Sequence, residues 1–274
     1  GHAVKQAAPY LPDTGKTLIL YADVPLITTV SLNKLIKSAQ RKKISILTSK
    51  ITKPKGYGRI IRDEKMNPTN IREEADASTQ EKTINEIFTG IMIADNEFLK
   101  NGLKGLVRNN KAGEYYLTDL VEYASKRKLP IGSTEAKELE VFGANNKKEL
   151  EGLYNAMVAL NIDAAKKKGT FFKDTSTCYV EGVLKVGKDV SIGNNVTIKG
   201  NVVLGNDVSI GSNVILSNTK IGSNSTIKEF CSIEDSKISE NVEVGPFARL
   251  RNGAVLDNSA KIGNFVEVKK SRIG

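Results

Sequence analysis

The sequence predicts two architectures in one chain: an α/β domain with a mostly parallel sheet, joined by a long helix to a left-handed parallel β-helix. Three observations predict this. The first half alternates strand-like and helix-like segments, the second half repeats an aliphatic residue every five or six positions, and one long helical pattern separates them. Alternation is typical of a parallel sheet covered by helices, and a hexapeptide period is typical of a parallel β-helix.

The first half opens its alternation with a strand and a helix. The segment 17–27 has an apolar core bounded by turn residues, which predicts a buried strand. The segment 31–43 has apolar residues at helical spacing and basic residues in its last turn. The same criteria predict strands at 44–50 and 85–94, a strand pair at 56–63 and 69–77 around the Asn67-Pro68 turn, and helices at 95–106 and 116–128, the first capped by Asp95 or Asn96.

A long amphipathic pattern then predicts a linker helix at 148–168. Its apolar residues recur at three- and four-residue spacing, lysines crowd its last turn, and Gly169 ends it. We therefore expect domains at 1–147 and 169–274.

The second half follows one six-residue period. Twelve of the steps between successive aliphatic residues are six residues long and three are five. From Ile192 onwards, a small or β-branched residue stands two positions before each aliphatic one. Gly, Asn and Asp supply corners that need a positive φ. Cys231 occupies one of the small positions, so we expect packing rather than reactivity. The aliphatic series is Val186, Ile192, Ile198, Leu204, Ile210, Leu216, Ile221, Ile227, Ile233, Ile238, Val244, Leu250, Leu256, Ile262, Val268 and Ile273.

Composition narrows the function classes. The chain has 274 residues, of which 39% are hydrophobic and 26% charged, so it can bury a core. A net charge of +10 suits a solvated basic surface, and the alternative is attraction for anionic small molecules such as nucleotides. The basic run at 166–168, followed by Phe171 and Phe172, is too weak to predict nucleic-acid binding. No apolar run is long enough to predict a membrane span, and no signal peptide is visible. The two cysteines are too few for a disulfide framework. We therefore expect a cytoplasmic protein.

Both ends of the sequence look cut. The chain opens Gly1-His2 without a Met, directly in a helical pattern, and ends at Gly274 within a repeat. We therefore expect a fragment of a longer protein.

Several motifs together resemble one bacterial enzyme family. These are "GHAV", "YADVPL", "GYGRI", "NEIFTGI", "GEYYLTD", "GANN", "GPFARLRNGA" and "IGNFVEVKK", in this order along essentially the whole chain. The sequence resembles the bifunctional enzymes that join an N-acetylglucosamine-1-phosphate uridyltransferase to a glucosamine-1-phosphate N-acetyltransferase. "YADVP" alone indicates only a nucleotidyltransferase, whereas "GPFARLR" followed by "GNFVEVKK" within hexapeptide repeats is specific.

The resemblance implies two reactions and their ligands. The acetyltransferase half would use acetyl-CoA and glucosamine-1-phosphate. The Rossmann-like nucleotidyltransferase half would use UTP and Mg²⁺, release pyrophosphate and form UDP-N-acetylglucosamine for peptidoglycan and lipopolysaccharide synthesis. The family also implies a homotrimer, with acetyl-CoA sites between subunits.

A metal site is implied at Asp23 and Asn145. An acid that follows a buried strand faces the ligand crevice of an α/β sheet, although position alone equally suits a turn or helix-capping aspartate. By resemblance both residues bind Mg²⁺, which prefers few oxygen ligands from protein and the rest from phosphate and water. The attacking group would be the sugar phosphate, so no protein nucleophile is required.

The resemblance assigns sugar contacts to neighbouring positions. Gly58 would let the backbone approach the sugar, and Glu73 would bind the sugar. Without the resemblance, the sequence suits a hairpin glycine at Gly58 and a solvated charge at Glu73 equally well. Tyr21 and Ala22 line the same edge. Phe88 departs from the family, which has a sugar-binding Asn there; a phenyl ring makes no such hydrogen bond. Either the sugar contact is rearranged or Phe88 packs inward.

Arg251 and Lys269 match family residues that hold the sugar phosphate. Each follows an inward aliphatic residue, and they stand 18 residues apart, so we expect them to stack on one edge. Scattered surface charges are the alternative. The family's catalytic His lies beyond Gly274 and its nucleotide loop before Gly1, so we expect no catalytic residue here and an inactive fragment. The one histidine, His2, suits a structural role.

Two other functions remain open at this stage. One is a sugar-nucleotide pyrophosphorylase whose hexapeptide domain only oligomerises, which "FARLRNG" and "NFVEVKK" argue against. The other is a non-catalytic scaffold or regulatory subunit. Asp23 and Asn145 argue against that alternative, and Phe88 argues mildly for it.

Overall fold

A computed structural model describes all residues, Gly1–Gly274, as two compact units, Gly1–Leu153 and Tyr154–Gly274. In the first unit the elements are α1 His2–Ala7, β1 Lys16–Ile19, α2 Thr29–Ser38, β2 Ile44–Lys50, β3 Arg59–Arg62, β4 Pro68–Arg72, β5 Glu86–Asp95, α3 Asn96–Lys104, α4 Asp119–Lys126 and β6 Ile131–Glu135. Helix α5, Lys147–Lys166, contains the division between the units. Its role as a linker, and the domain bounds based on it, stay predictions.

The sheet of the first unit is α/β but not mostly parallel, so that part of the prediction is wrong. Only β2 and β6 pair in parallel. Strand β5 pairs antiparallel with β1, β2 and β3, and β3 forms an antiparallel hairpin with β4. The crossover through α2 does make β1 and β2 run in the same direction. However, β5 lies between β1 and β2 and runs in the opposite direction. Both of its pairings, with β1 and with β2, are therefore antiparallel.

The first strand is also shorter than predicted. It ends at Ile19 rather than at Ile27, and Asp23 lies in the following turn, not at the strand's end. Pro25 lacks a backbone N–H and cannot continue a ladder of hydrogen bonds. The carbonyl oxygen of Asp23 instead accepts a hydrogen bond from the Ala144 N–H at 3.0 Å. The turn is therefore held by a distant loop rather than by the sheet.

Two of the helices begin at side-chain caps. The Thr28 hydroxyl accepts a hydrogen bond from the Ser31 N–H at 3.2 Å and starts α2. Asp95 does the same for the Phe98 N–H at 3.2 Å and starts α3, which decides between the two predicted caps. Such caps satisfy N–H groups that lack a partner within the helix.

The second unit is a β-solenoid of about six turns, consistent with a left-handed β-helix. All of its strand pairs are parallel. Its strands are β7 Phe171–Phe172, β8 Tyr179–Val186, β9 Ser191–Ile192, β10 Thr197–Leu204, β11 Ser209–Ile210, β12 Ile215–Ser217, β13 Lys220–Ile221, β14 Thr226–Ile227, β15 Ser232–Glu234, β16 Lys237–Ile238, β17 Glu243–Val244, β18 Arg249–Arg251, β19 Val255–Leu256, β20 Lys261–Ile262, β21 Glu267–Lys269 and β22 Arg272–Ile273.

The six-residue period sets the register of this unit. Leu216 pairs with Ile233, Ile233 with Leu250, and Leu250 with Val268, all buried. Cys231 is 1% exposed and burial raises the pKa of its thiol, which confirms the packing role. Aliphatic side chains thus stack coil on coil through the core.

The C-terminal part of α5 covers the first coil. Val158, Ile162 and Ala165 belong to the core of the solenoid. The Asn161 side chain donates to the Val180 carbonyl at 2.9 Å, so the helix also satisfies backbone acceptors of β8. An end of a solenoid needs such a cover, because an open coil would expose its apolar interior.

Candidate functional site

Asp23 and Asn145 are brought together by the loop that precedes α5. The Ala144 N–H, next to Asn145, donates to the Asp23 carbonyl oxygen. A β-carbon on Gly143 would lie 3.3 Å from the Asp23 carbonyl oxygen and 3.4 Å from Asp23 Oδ2, so the loop passes close to Asp23. Both side chains are exposed. The structure thus gathers two residues that stand far apart in sequence.

Hydrogen bonds orient the Asn145 amide. Its backbone N–H and its Nδ2 both donate to Glu149 Oε2, at 2.7 and 3.3 Å. Its carbonyl oxygen Oδ1 has no hydrogen-bond partner in the protein. Together with the Asp23 carboxylate, this gives two hard oxygen ligands of the kind that Mg²⁺ takes from proteins. No group of three or more His, Cys, Asp or Glu side chains could enclose a metal ion, so an ion here would keep water or phosphate ligands.

Gly58 and Glu73 lie against each other. A β-carbon on Gly58 would come 2.8 Å from Ile71 Cγ2 and 3.4 Å from Glu73 Oε2. The Gly58 carbonyl accepts a hydrogen bond from the Phe88 N–H at 2.8 Å, which ties the start of β3 to β5. The glycine therefore lets the Ile71 side chain and the Glu73 carboxylate pack against the backbone at the start of β3.

Thr118 is a site residue that the sequence analysis missed. Its hydroxyl donates to Glu73 Oε1 at 2.8 Å, and the residue is 3% exposed. Burial raises the pKa of Glu73, and this hydrogen bond partly offsets the rise. In the sequence, "YLTD" predicts only the start of the helix at 116–128 and belongs to the motif "GEYYLTD", with no role for Thr118. Only the fold shows that Thr118, just before α4, faces the end of β4.

Tyr21 lies between the two halves of the site. Its ring packs on the backbone of Gly90, where φ is +83° and a β-carbon would overlap the ring. Burial raises the pKa of Tyr21, and the charges of Glu73 and Asp23 raise it further. Both carboxylates are therefore close enough to act on the phenol. Ala22 is exposed in the turn between Tyr21 and Asp23.

Phe88 packs inward, which decides between the two readings of that position. It is 6% exposed and belongs to the core cluster that includes Ile60, Ile71 and Met92. Its backbone N–H still contacts Gly58, but its ring does not reach solvent. Any ligand contact at this place must come from other side chains.

A polar cavity of about 430 Å³ lies beside Glu73. Asp76, Asp119 and Glu122 line it together with Glu73, against the single cation Arg72, so its walls are mostly acidic. Burial raises the pKa of Asp119, and the neighbouring carboxylates raise it further. Burial and a hydrogen bond to Asp76 raise the pKa of Tyr116, also in the lining, to about 12. Such walls accept hydrogen bonds from hydroxyl or amide groups and repel phosphate.

In the β-helix, Arg251 and Lys269 are in register on adjacent strands. Strand β18 pairs in parallel with β21, and Arg251 is the partner of Lys269. The sequence analysis missed Glu267, whose Oε1 accepts from Arg251 Nε at 2.5 Å. The hydrogen bond and charge of Arg251 lower the pKa of Glu267. Successive side chains of a strand point to opposite faces, so Glu267 and Lys269 on β21 must share a face. This alternation could have identified Glu267 from the sequence.

His2 contacts Tyr115 and Gln6. Its ring stacks on Tyr115 at 6.3 Å between centroids, and its Nε2 is 3.2 Å from Gln6 Nε2.

No helix is long and apolar enough to cross a membrane.

Comparison with known proteins identifies relatives. The chain is 42% identical over 275 aligned residues to the bifunctional protein GlmU of Idiomarina loihiensis, and 43% and 42% identical to the GlmU proteins of Nitrosomonas europaea and Nitrosomonas eutropha. Each alignment covers 100% of this chain and 60% of the relative.

The chain is therefore a relative of the GlmU proteins along its whole length. It spans 60% of the length of the GlmU relatives it matches. Residues 177–274 also match a family model described as the GMPPB C-terminal domain. A crystal structure of a putative glucose-1-phosphate thymidylyltransferase from Bacillus anthracis in complex with a sucrose aligns with a TM-score of 0.43 and 17% identity. That alignment covers 57% of this chain and 59% of the other, a likeness too weak to carry an argument.

Proposed function

We propose that this chain carries the substrate-binding parts of a bifunctional enzyme of sugar-nucleotide synthesis. The first unit would take part in Mg²⁺-dependent uridylyl transfer from UTP to N-acetylglucosamine-1-phosphate, with release of pyrophosphate. The second would take part in acetyl transfer from acetyl-CoA to glucosamine-1-phosphate. We further propose that the protein acts as a cytoplasmic homotrimer.

One observation carries the first activity. Gly143 and Ala144 contact Asp23 and bring the next residue, Asn145, near it, and the charges of Asp23 and Glu73 both act on Tyr21. A cation held by Asp23 and Asn145 would supply positive charge to the phosphates of the reactants. The chain's own task is to hold the sugar phosphate in line for attack, which is largely a matter of position.

The sugar would lie on the Glu73 side of this arrangement. The Glu73 carboxylate packs beside the Gly58 backbone, and the Thr118 hydroxyl fixes that carboxylate. The acidic cavity next to Glu73 suits hydroxyl and amide groups, whereas the phosphate belongs at the cation. Because Phe88 is buried in the core, we propose that Glu73 and backbone groups make the sugar contacts.

The acetyltransferase proposal rests on the pair Arg251 and Lys269. The Arg251 guanidinium is a planar fork and the Lys269 ammonium a point charge, and both suit a sugar phosphate. Glu267 holds Arg251 in place until an anion arrives. This arrangement of charges favours a binding role over the alternative in which the solenoid only oligomerises.

The test compares Asp23→Asn with Asp13→Asn in the protein that carries this chain. Asp13 is an exposed carboxylate that pairs with Lys100 and lies outside the site, so it is a matched control. We expect Asp23→Asn to slow Mg²⁺-dependent pyrophosphate release from UTP and N-acetylglucosamine-1-phosphate by about 100-fold or more, because it removes a charged ligand. Equal rates for both variants, with the proteins folded, would overturn the assignment of Asp23.

A further inference from the structure

Charged side chains lie opposite each other on several pairs of adjacent strands in the β-helix. In most of these pairs the charges are opposite, as in Glu181 with Lys199, Glu243 with Lys261 and Arg249 with Glu267. Opposite charges in such a cross-strand pair stabilise a sheet, whereas like charges destabilise it. A pair of like charges therefore has a cost that the fold alone does not require.

Two cross-strand pairs carry like charges. One is Arg251 with Lys269, which is proposed to hold a sugar phosphate and in which Glu267 contacts the arginine. The other is Lys220 with Lys237, on β13 and β16. Strand β16 pairs with β13 and β19, whereas β18 pairs with β15 and β21, so the two pairs lie on different faces of the β-helix.

No carboxylate forms an ion pair with Lys220 or Lys237. Both side chains are exposed, and the salt bridges of the β-helix use other residues. The nearby acid Asp257 pairs with Arg272 at 2.8 Å. Arg272 is the main cause of the lowered pKa of Asp257, to which the charge of Lys237 adds. The two ammonium groups thus face each other without a partner of opposite charge in contact.

A groove of about 440 Å³ lies at these lysines. Its lining includes Val203, the strand partner of Lys220, and Val255, the strand partner of Lys237. Apolar side chains therefore flank the two charges along the face. The lining contains no aromatic ring on which a nucleic-acid base could stack, and its one acid, Asp235, would repel an extended polyanion. The groove therefore suits a small anion.

We propose that Lys220 and Lys237 form a second anion-binding site, and that its ligand is a phosphorylated small molecule. A phosphate dianion matches the charge of two ammonium groups and accepts hydrogen bonds from both. The flanking valines suit an uncharged body attached to the phosphate, and the Asn201 and Asn218 side chains in the lining suit polar groups on that body. The inference rests on neither of the proposed reactions.

The experiment measures binding of pyrophosphate to the 274-residue chain by calorimetry, at low ionic strength and without Mg²⁺. The test variant is Lys220→Gln with Lys237→Gln. The control is Lys199→Gln with Lys261→Gln, which removes the same charge from two exposed lysines that lie beside carboxylates. All proteins carry Arg251→Gln, so that the other pair of like charges contributes little. We expect the test variant to bind at least about 10-fold more weakly than the control.

Thermal unfolding followed by circular dichroism gives a second readout. Without pyrophosphate, the test variant should melt at a higher temperature than the control, because it removes a repulsion where the control removes attractions. Pyrophosphate should raise the Tm of the control more than that of the test variant. Equal binding by the two variants, or a test variant that melts at or below the control, overturns the site. Neither lysine belongs to the residues proposed for the two reactions, so that result leaves the proposed function standing.

Discussion

The buried ion pair between Arg59 and Glu74 gives a sharp prediction about the candidate sugar site. The Arg59 side chain is 2% exposed and donates from Nη2 to Glu74 Oε2 at 2.7 Å, while Nη1 donates to the Tyr57 carbonyl. Glu74 is 29% exposed, and the same carboxylate oxygen accepts from the Gly56 N–H at 3.1 Å. The pair thus holds the loop that ends at Gly58.

Removing the two partners should have unequal effects. Glu74→Met leaves the Arg59 cation buried without its anion, which we expect to cost about 3–5 kcal/mol of unfolding free energy. Arg59→Met leaves a carboxylate that water and the Gly56 N–H can still satisfy, and it removes an Nε that has no partner. We therefore expect a smaller cost of about 2 kcal/mol. The double variant should be more stable than Glu74→Met, because it buries no charge.

Urea unfolding followed by tyrosine fluorescence measures this cycle. Six of the eight tyrosines lie in the first unit, so the signal reports mainly on the unit that contains the pair. The reasoning is refuted if Arg59→Met destabilises the protein more than Glu74→Met. It is also refuted if the two costs simply add in the double variant, since a coupled pair must be non-additive.

Two further predictions concern the proposed binding residues. Burial raises the pKa of Glu73 in the folded protein above its value in the unfolded chain. At a pH above the folded pKa the ionised Glu73 therefore lowers the free energy of unfolding, and this loss disappears when the pH falls below the unfolded pKa. Glu73→Gln should therefore raise the free energy of unfolding at pH 8 but not at pH 4. The same variant should slow uridylyl transfer. Urea titrations in which the gain in stability appears at pH 4 and not at pH 8 would contradict this. Arg251→Gln should weaken binding of glucosamine-1-phosphate by about 10- to 100-fold in calorimetry, through loss of a charge-assisted hydrogen bond. An equal loss for the control Arg272→Gln, a residue that pairs with Asp257, would contradict that role.

The β-helix was largely readable from the sequence. One aliphatic residue per face fills the core at every coil, so the period itself contains the register that pairs Leu250 with Val268 and Arg251 with Lys269. The contact between Arg251 and Glu267 follows from the same register but depends on side-chain directions. The pairing of Lys220 with Lys237 also becomes visible once the coils are aligned.

The first unit was less readable, for a physical reason. Local patterns predict strands and caps, as at Asp95, but the order of strands depends on which edges bury the most surface. Strand β5 lies between β1 and β2, although it follows both in sequence. This insertion made the sheet mostly antiparallel.

The sequence by itself thus determined the α/β character of the first half, the repeat of the second and the candidate residues that the family resemblance marked. Tertiary structure decided how they meet. It placed Asn145 beside Asp23 through the Gly143 loop, gave Glu73 a hydroxyl partner in Thr118, and turned Phe88 into the core. These contacts join residues far apart in the chain, and their geometry depends on packing between elements, which no local pattern records.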